Sequence, residues 1–115
     1  MVDLDSDDRQ FLLTTAWLFA RHGQAARAHA LFAALVEDDP RDGLCAAAYA
    51  ERLLDDREPE SALAVLRRAD FPPELRRAEA LLETRALTMM GKADESRRRW
   101  ARYVEASKGS ARRWI

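Results

Sequence analysis

The residues of this chain best suited to catalysis or metal binding are two histidines and one cysteine: His22, His29 and Cys45. The histidines are seven positions apart with Gly23 between them, so they do not share one helical face, and Cys45 lies far along the chain. A zinc site needs a closer and richer cluster of ligands. Cys45 is surrounded by alanines, where a free cysteine behaves as a small apolar residue. The sequence has no glycine-rich phosphate loop either, so we expect no enzyme activity, metal site or cofactor.

Arginine is the other residue type with a clear chemical use, because its guanidinium group pairs well with phosphates. The arginines near the C-terminal end are Arg97, Arg98, Arg99, Arg102, Arg112 and Arg113. Consecutive arginines point around a helix and not to one side, and the formal net charge of the chain is −1. We therefore expect a solvated face, part of it available to an acidic partner surface. Nucleic-acid binding is kept only as a less favoured alternative.

Charge is divided unevenly between the two halves of the chain. Residues 1–56 hold 5 arginines against 11 acidic residues, a net charge of −6, whereas residues 57–115 hold 14 basic against 9 acidic residues, a net charge of +5. Complementary fields mainly raise the rate at which two partners meet. The asymmetry indicates either a surface that orients an oppositely charged partner or a soluble surface with no such role.

The sequence favours a soluble, cytoplasmic, single-domain protein. Met1 to Asp8 contains four aspartates, where a secretory leader needs a positive start followed by an apolar run. The longest apolar stretch, Phe11 to Ala20, is about half of the roughly 18 residues that cross a bilayer, so no membrane insertion is expected. The single Cys45 excludes an internal disulfide, which suits a reducing compartment.

Small and apolar residue types recur at an interval of 34 residues. The recurring triplets are Leu12, Ala46 and Ala80; Ala16, Ala50 and Thr84; Phe19, Leu53 and Leu87; Ala28, Ala62 and Ser96; Phe32, Leu66 and Trp100; and Leu35, Ala69 and Tyr103. This interval is the period of the tetratricopeptide repeat (TPR), a helix pair that buries its apolar faces by stacking on its neighbours. The pattern predicts an all-α fold of three tandem TPR-like helical hairpins, which form a short right-handed superhelix with a concave groove.

The predicted boundaries follow this interval. They are an acidic N-terminal segment, 1–8, three TPR-like repeats, 9–42, 43–76 and 77–108, and a C-terminal tail, 109–115. The first helix is expected to be capped by Ser6 or Asp7, and the last to end at Ala106 or Ser107.

Two glycines mark the predicted turns within the first and third repeats. Gly23 and Gly91 are 68 residues apart, and a left-handed glycine commonly ends a helix. The middle repeat has Arg57 at the equivalent position, so we expect its turn to be made by other means.

The residue pattern of the first repeat resembles one group of TPR proteins more narrowly. The matching residues are Phe11, Leu12, Leu13, Trp17, Leu18, Gly23, Ala25, Arg27, Ala28, Leu31, Ala34, Leu35 and Pro40, together with Trp100, Tyr103, Val104 and Glu105 near the end. This pattern is similar to that of the small TPR-like chaperones of bacterial type III secretion, the YscY (SctY) family. Membership would imply a bacterial cytoplasmic protein that holds a small secreted partner of the YscX type and helps present it to the export gate.

The TPR resemblance also implies which side chains line the concave groove, since these come from fixed positions of the first helix of each repeat. The implied groove residues are Gln10, Leu13, Trp17, Ala20, Arg21, Leu44, Ala47, Glu51, Leu54, Asp55, Ala78, Leu81, Arg85, Thr88 and Met89. An exposed apolar lining of Leu13, Trp17, Leu54, Leu81 and Met89 is one that a soluble monomer rarely leaves open.

An amphipathic helix of a partner is the expected occupant of this groove. Trp17 is the expected hot spot, because a large aromatic side chain buries much area and loses little rotamer entropy. Two alternatives stay open: Trp17 packs against the second repeat or the N-terminal segment, and Met89 fills the core.

The resulting hypothesis is a type III secretion chaperone or adaptor that keeps a small YscX-like export protein soluble. The alternatives are a chaperone of the same architecture for a needle subunit or a translocator, and a general TPR scaffold. The last hairpin has no solvating helix after it, so its apolar side must be covered by the partner, by a second copy or by the tail at Trp114 and Ile115. We therefore expect self-association when the chain is made alone.

Overall fold

Helix is the only regular secondary structure in the computed structural model, which describes residues 4–112. The elements are α1 (Ser6–Arg21), α2 (Ala25–Asp38), α3 (Gly43–Asp55), α4 (Pro59–Arg68), a 3-10 turn (Pro73–Leu75), α5 (Arg76–Met89) and α6 (Ala93–Arg112). The predicted all-α class is confirmed. Extended pairing within this range is limited to one isolated parallel bridge between Asp42 and Asp70.

The turns that join α1 to α2, α3 to α4 and α5 to α6 have the same backbone geometry. Gly23 and Gly91 both have a φ of 76°, as predicted for left-handed glycines, and Arg57 adopts the same region with a φ of 63°. One hydrogen bond repeats at the interval of the sequence pattern, from the amide of Gln24 to the carbonyl of Phe19 (2.8 Å), from Glu58 to Leu53 (2.9 Å) and from Lys92 to Leu87 (2.9 Å). The loss of glycine in the middle turn therefore does not change its shape.

The helix ends differ from the sequence predictions at two places. Asp5, and not Ser6 or Asp7, caps α1: its carboxylate accepts a hydrogen bond from the Asp8 amide at 2.8 Å, and the Asp8 carboxylate faces the Asp5 amide. The last helix extends beyond the predicted end at Ser107 and reaches Arg112. Proline or glycine lies at or next to several of the other ends, at Gly23, Gly43, Pro59 and Gly91.

The helices pack pairwise along the chain. α1 packs on α2, α3 on α4 and α5 on α6, while α2 with α3, α4 with α5 and α3 with α5 connect the pairs. Alanine makes these close contacts possible, since Ala16, Ala28, Ala50 and Ala62 are fully buried. The largest fully buried side chains are Leu35, Leu53, Leu54 and Leu66. Two apolar clusters result, one around Phe32 in the first half of the chain and one around Leu53 and Leu66 in the second.

The start of α3 fits tightly against the loop after α4. The Asp70 amide donates to the Arg41 carbonyl at 2.9 Å, and a Cβ atom on Gly43 would lie 2.5 Å from the Asp70 carbonyl oxygen. Only glycine fits at this position without a backbone shift. This contact holds α3 and α4 in register.

No helix within residues 4–112 has the length and apolar character that crossing a membrane requires.

Candidate functional site

The first helices of the two N-terminal pairs, α1 and α3, border an open depression of about 770 Å³. Four of the predicted groove residues line it: Gln10, Leu13, Trp17 and Leu44. We call this depression the α1–α3 trough. Leu44 is 52% exposed and Trp17 is 46% exposed, so the trough presents apolar surface to solvent. Such surface, unusual on a monomer when it is contiguous, marks a candidate binding site.

Trp17 also borders a second, smaller depression of about 200 Å³ farther along α1 and α3. The other predicted groove residues that line it are Ala20, Arg21, Glu51 and Asp55. Its rim therefore carries both charges, while its floor includes Phe32 and Ala48. Because Trp17 stands between the two depressions, one side chain can contact a ligand that runs along both.

The predicted residues on α5 lie outside these two depressions. Arg85 is tied to the site by an ion pair with Asp55, with 3.0 Å between Nη2 and Oδ1. Leu81 is 45% exposed, and Ala78 is half-buried. Met89 is half-buried against the second apolar cluster, and the Thr88 hydroxyl is bonded to the Thr84 carbonyl within its own helix.

Two expectations about exposure are wrong. Leu54, predicted to be an exposed groove residue, is 1% exposed and packs in the second apolar cluster. Leu13 and Ala47 are each only 9% exposed, so they offer little surface to a ligand, and Ala47 lines neither depression. For Leu54 and Ala47 the physical reason is that α3 packs against α2, α4 and α5, so a wide arc of its surface is interior. Leu13, on α1, is buried because it packs in the first apolar cluster.

Arg9 is a site residue that the sequence interpretation missed. Its guanidinium forms ion pairs with Asp38 at 2.5 Å and with Asp42 at 3.0 Å, and it also donates to the Leu35 carbonyl at 3.0 Å. Arg9 thus fixes one wall of the α1–α3 trough by joining α1 to the end of α2 and the start of α3. Two features of the sequence pointed to this role. Arg9 is a lone arginine on an otherwise apolar helical face, and the turn between α2 and α3 is rich in aspartate.

The electrostatics of this wall follow from the same contacts. Burial disfavours the charged Arg9 side chain, but the hydrogen bond with Asp42, together with the charge of Asp42 and the interaction with Cys45, outweighs burial and raises the pKa of Arg9. Burial likewise opposes ionisation of Asp42, yet the Cys45 amide and Arg9 lower the pKa of this carboxyl. Both groups are therefore charged at neutral pH.

The cysteine and the histidines do not form a reactive group among the described residues. Burial, followed by the charge of Asp42, raises the pKa of the Cys45 thiol to about 12, so the thiolate needed for nucleophilic attack does not form near neutral pH. His29 lies 3.7 Å from the Asp56 carboxylate and contacts Tyr49 edge-on, while His22 is exposed at the first turn. No cluster of three or more potential metal ligands occurs in residues 4–112.

The site thus combines two exposed apolar side chains, Trp17 and Leu44, with polar and charged margins. No model of a known protein family matches the chain, and no curated protein matches it at a significant level.

Proposed function

We propose that this protein is a chaperone or adaptor that holds an amphipathic helix of another protein in the α1–α3 trough. The observation that carries the proposal is the position of Trp17, which is 46% exposed and borders both depressions. A large aromatic side chain held at the centre of a concave surface is the usual character of a binding hot spot.

The arrangement of helices that we propose is three TPR-like hairpins in a short right-handed superhelix. The support comes from the turns, since equivalent hydrogen bonds and left-handed residues recur at intervals of 34 residues, at Gly23, Arg57 and Gly91. Further support comes from the packing, since α1 pairs with α2, α3 with α4 and α5 with α6. Repeats of this kind present the first helix of each pair to the ligand.

The chemistry of the site favours a helix with one apolar face. Trp17 and Leu44 would receive apolar anchors at intervals of three or four residues. Arg21 and Glu51 at the rim offer both charges, so they can set the direction of the bound helix by pairing with its polar side. The Asp55–Arg85 ion pair closes this rim toward α5.

The client that we propose is a small secreted component of type III export, of the YscX type, held in the bacterial cytoplasm and presented to the export gate. The resemblance of the first repeat to the YscY (SctY) family supports this choice. A needle subunit or a translocator is the second candidate, and a general TPR scaffold the third. The proposal involves no catalysis, cofactor or nucleic acid.

The test is co-purification of a tagged copy from its native host, followed by titration of the recovered client. We expect one small protein in stoichiometric amount, and we expect Trp17→Glu to weaken its binding at least about tenfold, a loss of about 1.4 kcal/mol or more. Leu18→Glu is the matched control, because Leu18 is 51% exposed on the same helix but lines neither depression.

Equal binding by both variants would exclude the α1–α3 trough as the site. Recovery of nucleic acid, detected as high absorbance at 260 nm that falls with added salt, would contradict the chaperone function.

A further inference from the structure

The last helical pair carries a cluster of arginines on the side of α6 that faces α4 and the start of α5. Two depressions, of about 440 and 190 Å³, meet there, and Arg99 and Arg102 line both. Arg76 completes the larger depression, while Arg67 and Arg98 complete the smaller one. We call the surface formed by Arg67, Arg76, Arg98 and Arg102 the basic trough.

The four arginines of the basic trough are available to a partner. None of them forms an ion pair within residues 4–112. Arg99, by contrast, is committed to Glu83 at 2.9 Å and lies 3.9 Å from Glu79. Unpaired arginines grouped in a depression favour the binding of carboxylates or phosphates, since each guanidinium offers several donors in one plane.

Four acidic residues also line the two depressions, and they favour a carboxylate ligand over the phosphates of a nucleic acid. They are Asp70, Glu79, Glu83 and Glu95. Asp70 is paired with Arg41 at 3.0 Å, and the two central glutamates share Arg99, so the free charge remains positive. Interspersed carboxylates repel the evenly spaced phosphates of a nucleic acid, whereas a folded acidic surface can place its few carboxylates opposite the arginines.

A surface of that kind exists at the other end of the same chain. Asp5 caps α1 and Asp7 and Asp8 lie in its first turn. All three are exposed, and none of them forms an ion pair within the described range, although Asp5 and Asp8 accept the capping hydrogen bonds. Asp3 precedes them in the sequence, so four of the first eight residues are acidic. An exposed apolar side chain, that of Phe11 at 70% exposure, lies on the next turn of the same helix.

These two surfaces belong to the two terminal helices. α1 packs on α2, and α6 packs on α5, so the acidic start and the basic trough of one chain lie in different helix pairs. We propose that the acidic start of α1 of one copy docks in the basic trough of a second copy, in a head-to-tail contact. Asp5, Asp7 and Asp8 do not line the α1–α3 trough, so this contact does not depend on the proposed function.

Such a contact is heterologous, because it joins two different surfaces and leaves one of each unoccupied at the ends. It relies on exposed charges, so it is weak and is screened by salt, whose Debye length is about 10 Å at 0.1 M. Association of the full chain should therefore rise with concentration at low ionic strength and vanish at high ionic strength.

The test uses two charge-reversed variants measured by sedimentation velocity. Arg98→Glu with Arg102→Glu makes both ends acidic, and Asp3→Lys with Asp7→Lys removes the net negative charge at the start of α1 while sparing the capping residues Asp5 and Asp8. Each variant alone should associate at least about tenfold more weakly than the unchanged protein. An equimolar mixture of the two should recover association, because an acidic end again meets a basic one.

The matched control, Arg57→Glu with Lys92→Glu, makes the same change in net charge at exposed turn positions outside the basic trough, and it should associate normally. Three results overturn the proposal: no association of the unchanged protein, association that salt and Arg98→Glu with Arg102→Glu leave intact, or a mixture of correctly folded variants that stays monomeric. The second result would place the contact on apolar surface instead, and circular dichroism establishes folding in each case.

Discussion

Arg57 and Gly23 adopt the same left-handed backbone conformation, with φ values of 63° and 76°, at equivalent turns 34 residues apart. For glycine this conformation costs little, whereas an L-residue crowds its Cβ against the following carbonyl, at a cost of about 1–2 kcal/mol. The middle turn therefore stores strain that the first and third turns avoid. The surrounding helix pair, α3 and α4, holds Arg57 in place.

Arg57→Gly should stabilise the protein by about 0.5–1 kcal/mol, since relief of the strain exceeds the extra backbone entropy that glycine loses on folding. Urea unfolding followed by circular dichroism measures the change. Arg57→Ala is the matched control: it removes the charged side chain but keeps the Cβ, so its stability should stay within about 0.5 kcal/mol of the unchanged protein. Equal stability of the glycine and alanine variants would show that the turn is unstrained.

Gly43→Ala should destabilise the protein by about 1–3 kcal/mol, because the added Cβ would lie 2.5 Å from the Asp70 carbonyl oxygen and would push the loop away from α3. A lowered midpoint in thermal unfolding is the readout. Gly109→Ala provides the control, since nothing lies within 4 Å of its Cβ position in α6, and alanine there should stabilise by up to about 1 kcal/mol. Unchanged stability of Gly43→Ala would mean that the loop yields freely.

Most of the helical structure could be predicted from the sequence, because its signals are local. Gly23 and Gly91 mark turns between helices through backbone preferences that hold in any context, and both adopt the predicted left-handed conformation. The conformation of Arg57 could be anticipated only from its place in the 34-residue interval, since nothing in the residue itself favours a left-handed turn.

The composition of the site was less predictable, because it depends on how the helices pack. Leu54 and Leu44 are both leucines on α3, yet one is core and the other is exposed. The repeat pattern assigns both to one face and cannot tell how much of that face α5 covers. The role of Arg9 was missed for a similar reason, since its three acceptors come from positions 26 to 33 residues away. The arrangement of the pairs as a TPR superhelix stays a prediction.

Arg9→Met should destabilise the protein by about 2 kcal/mol at neutral pH, because it leaves the partly buried Asp38 and Asp42 carboxylates without their cation. Arg21→Met is the control, since Arg21 is exposed and forms no ion pair within residues 4–112. Urea unfolding at pH 7 separates the two, and equal losses would contradict the structural role of Arg9.

The contribution of Asp42 should also depend on pH. Its pKa is lowered in the folded protein, so its stabilising effect is complete above the unfolded value of about 3.9 and is lost as the pH falls through the lower folded value. The stability difference between the unchanged protein and Arg9→Met should therefore shrink in acid. A difference that stays constant down to about pH 3 would show that Asp42 is not coupled to Arg9.

Leu54→Ala and Leu44→Ala separate core from binding surface on α3. Leu54→Ala should cost about 2–5 kcal/mol of stability, because it opens a cavity in the second apolar cluster. Leu44→Ala should change stability by less than about 0.5 kcal/mol, since half of the side chain is already in water, and should instead weaken client binding. Unfolding measures the first effect and titration of the client the second. If Leu44→Ala unfolded the protein as readily as Leu54→Ala, the wall of the α1–α3 trough would be part of the core, and Trp17 would have no neighbouring apolar surface with which to hold a client.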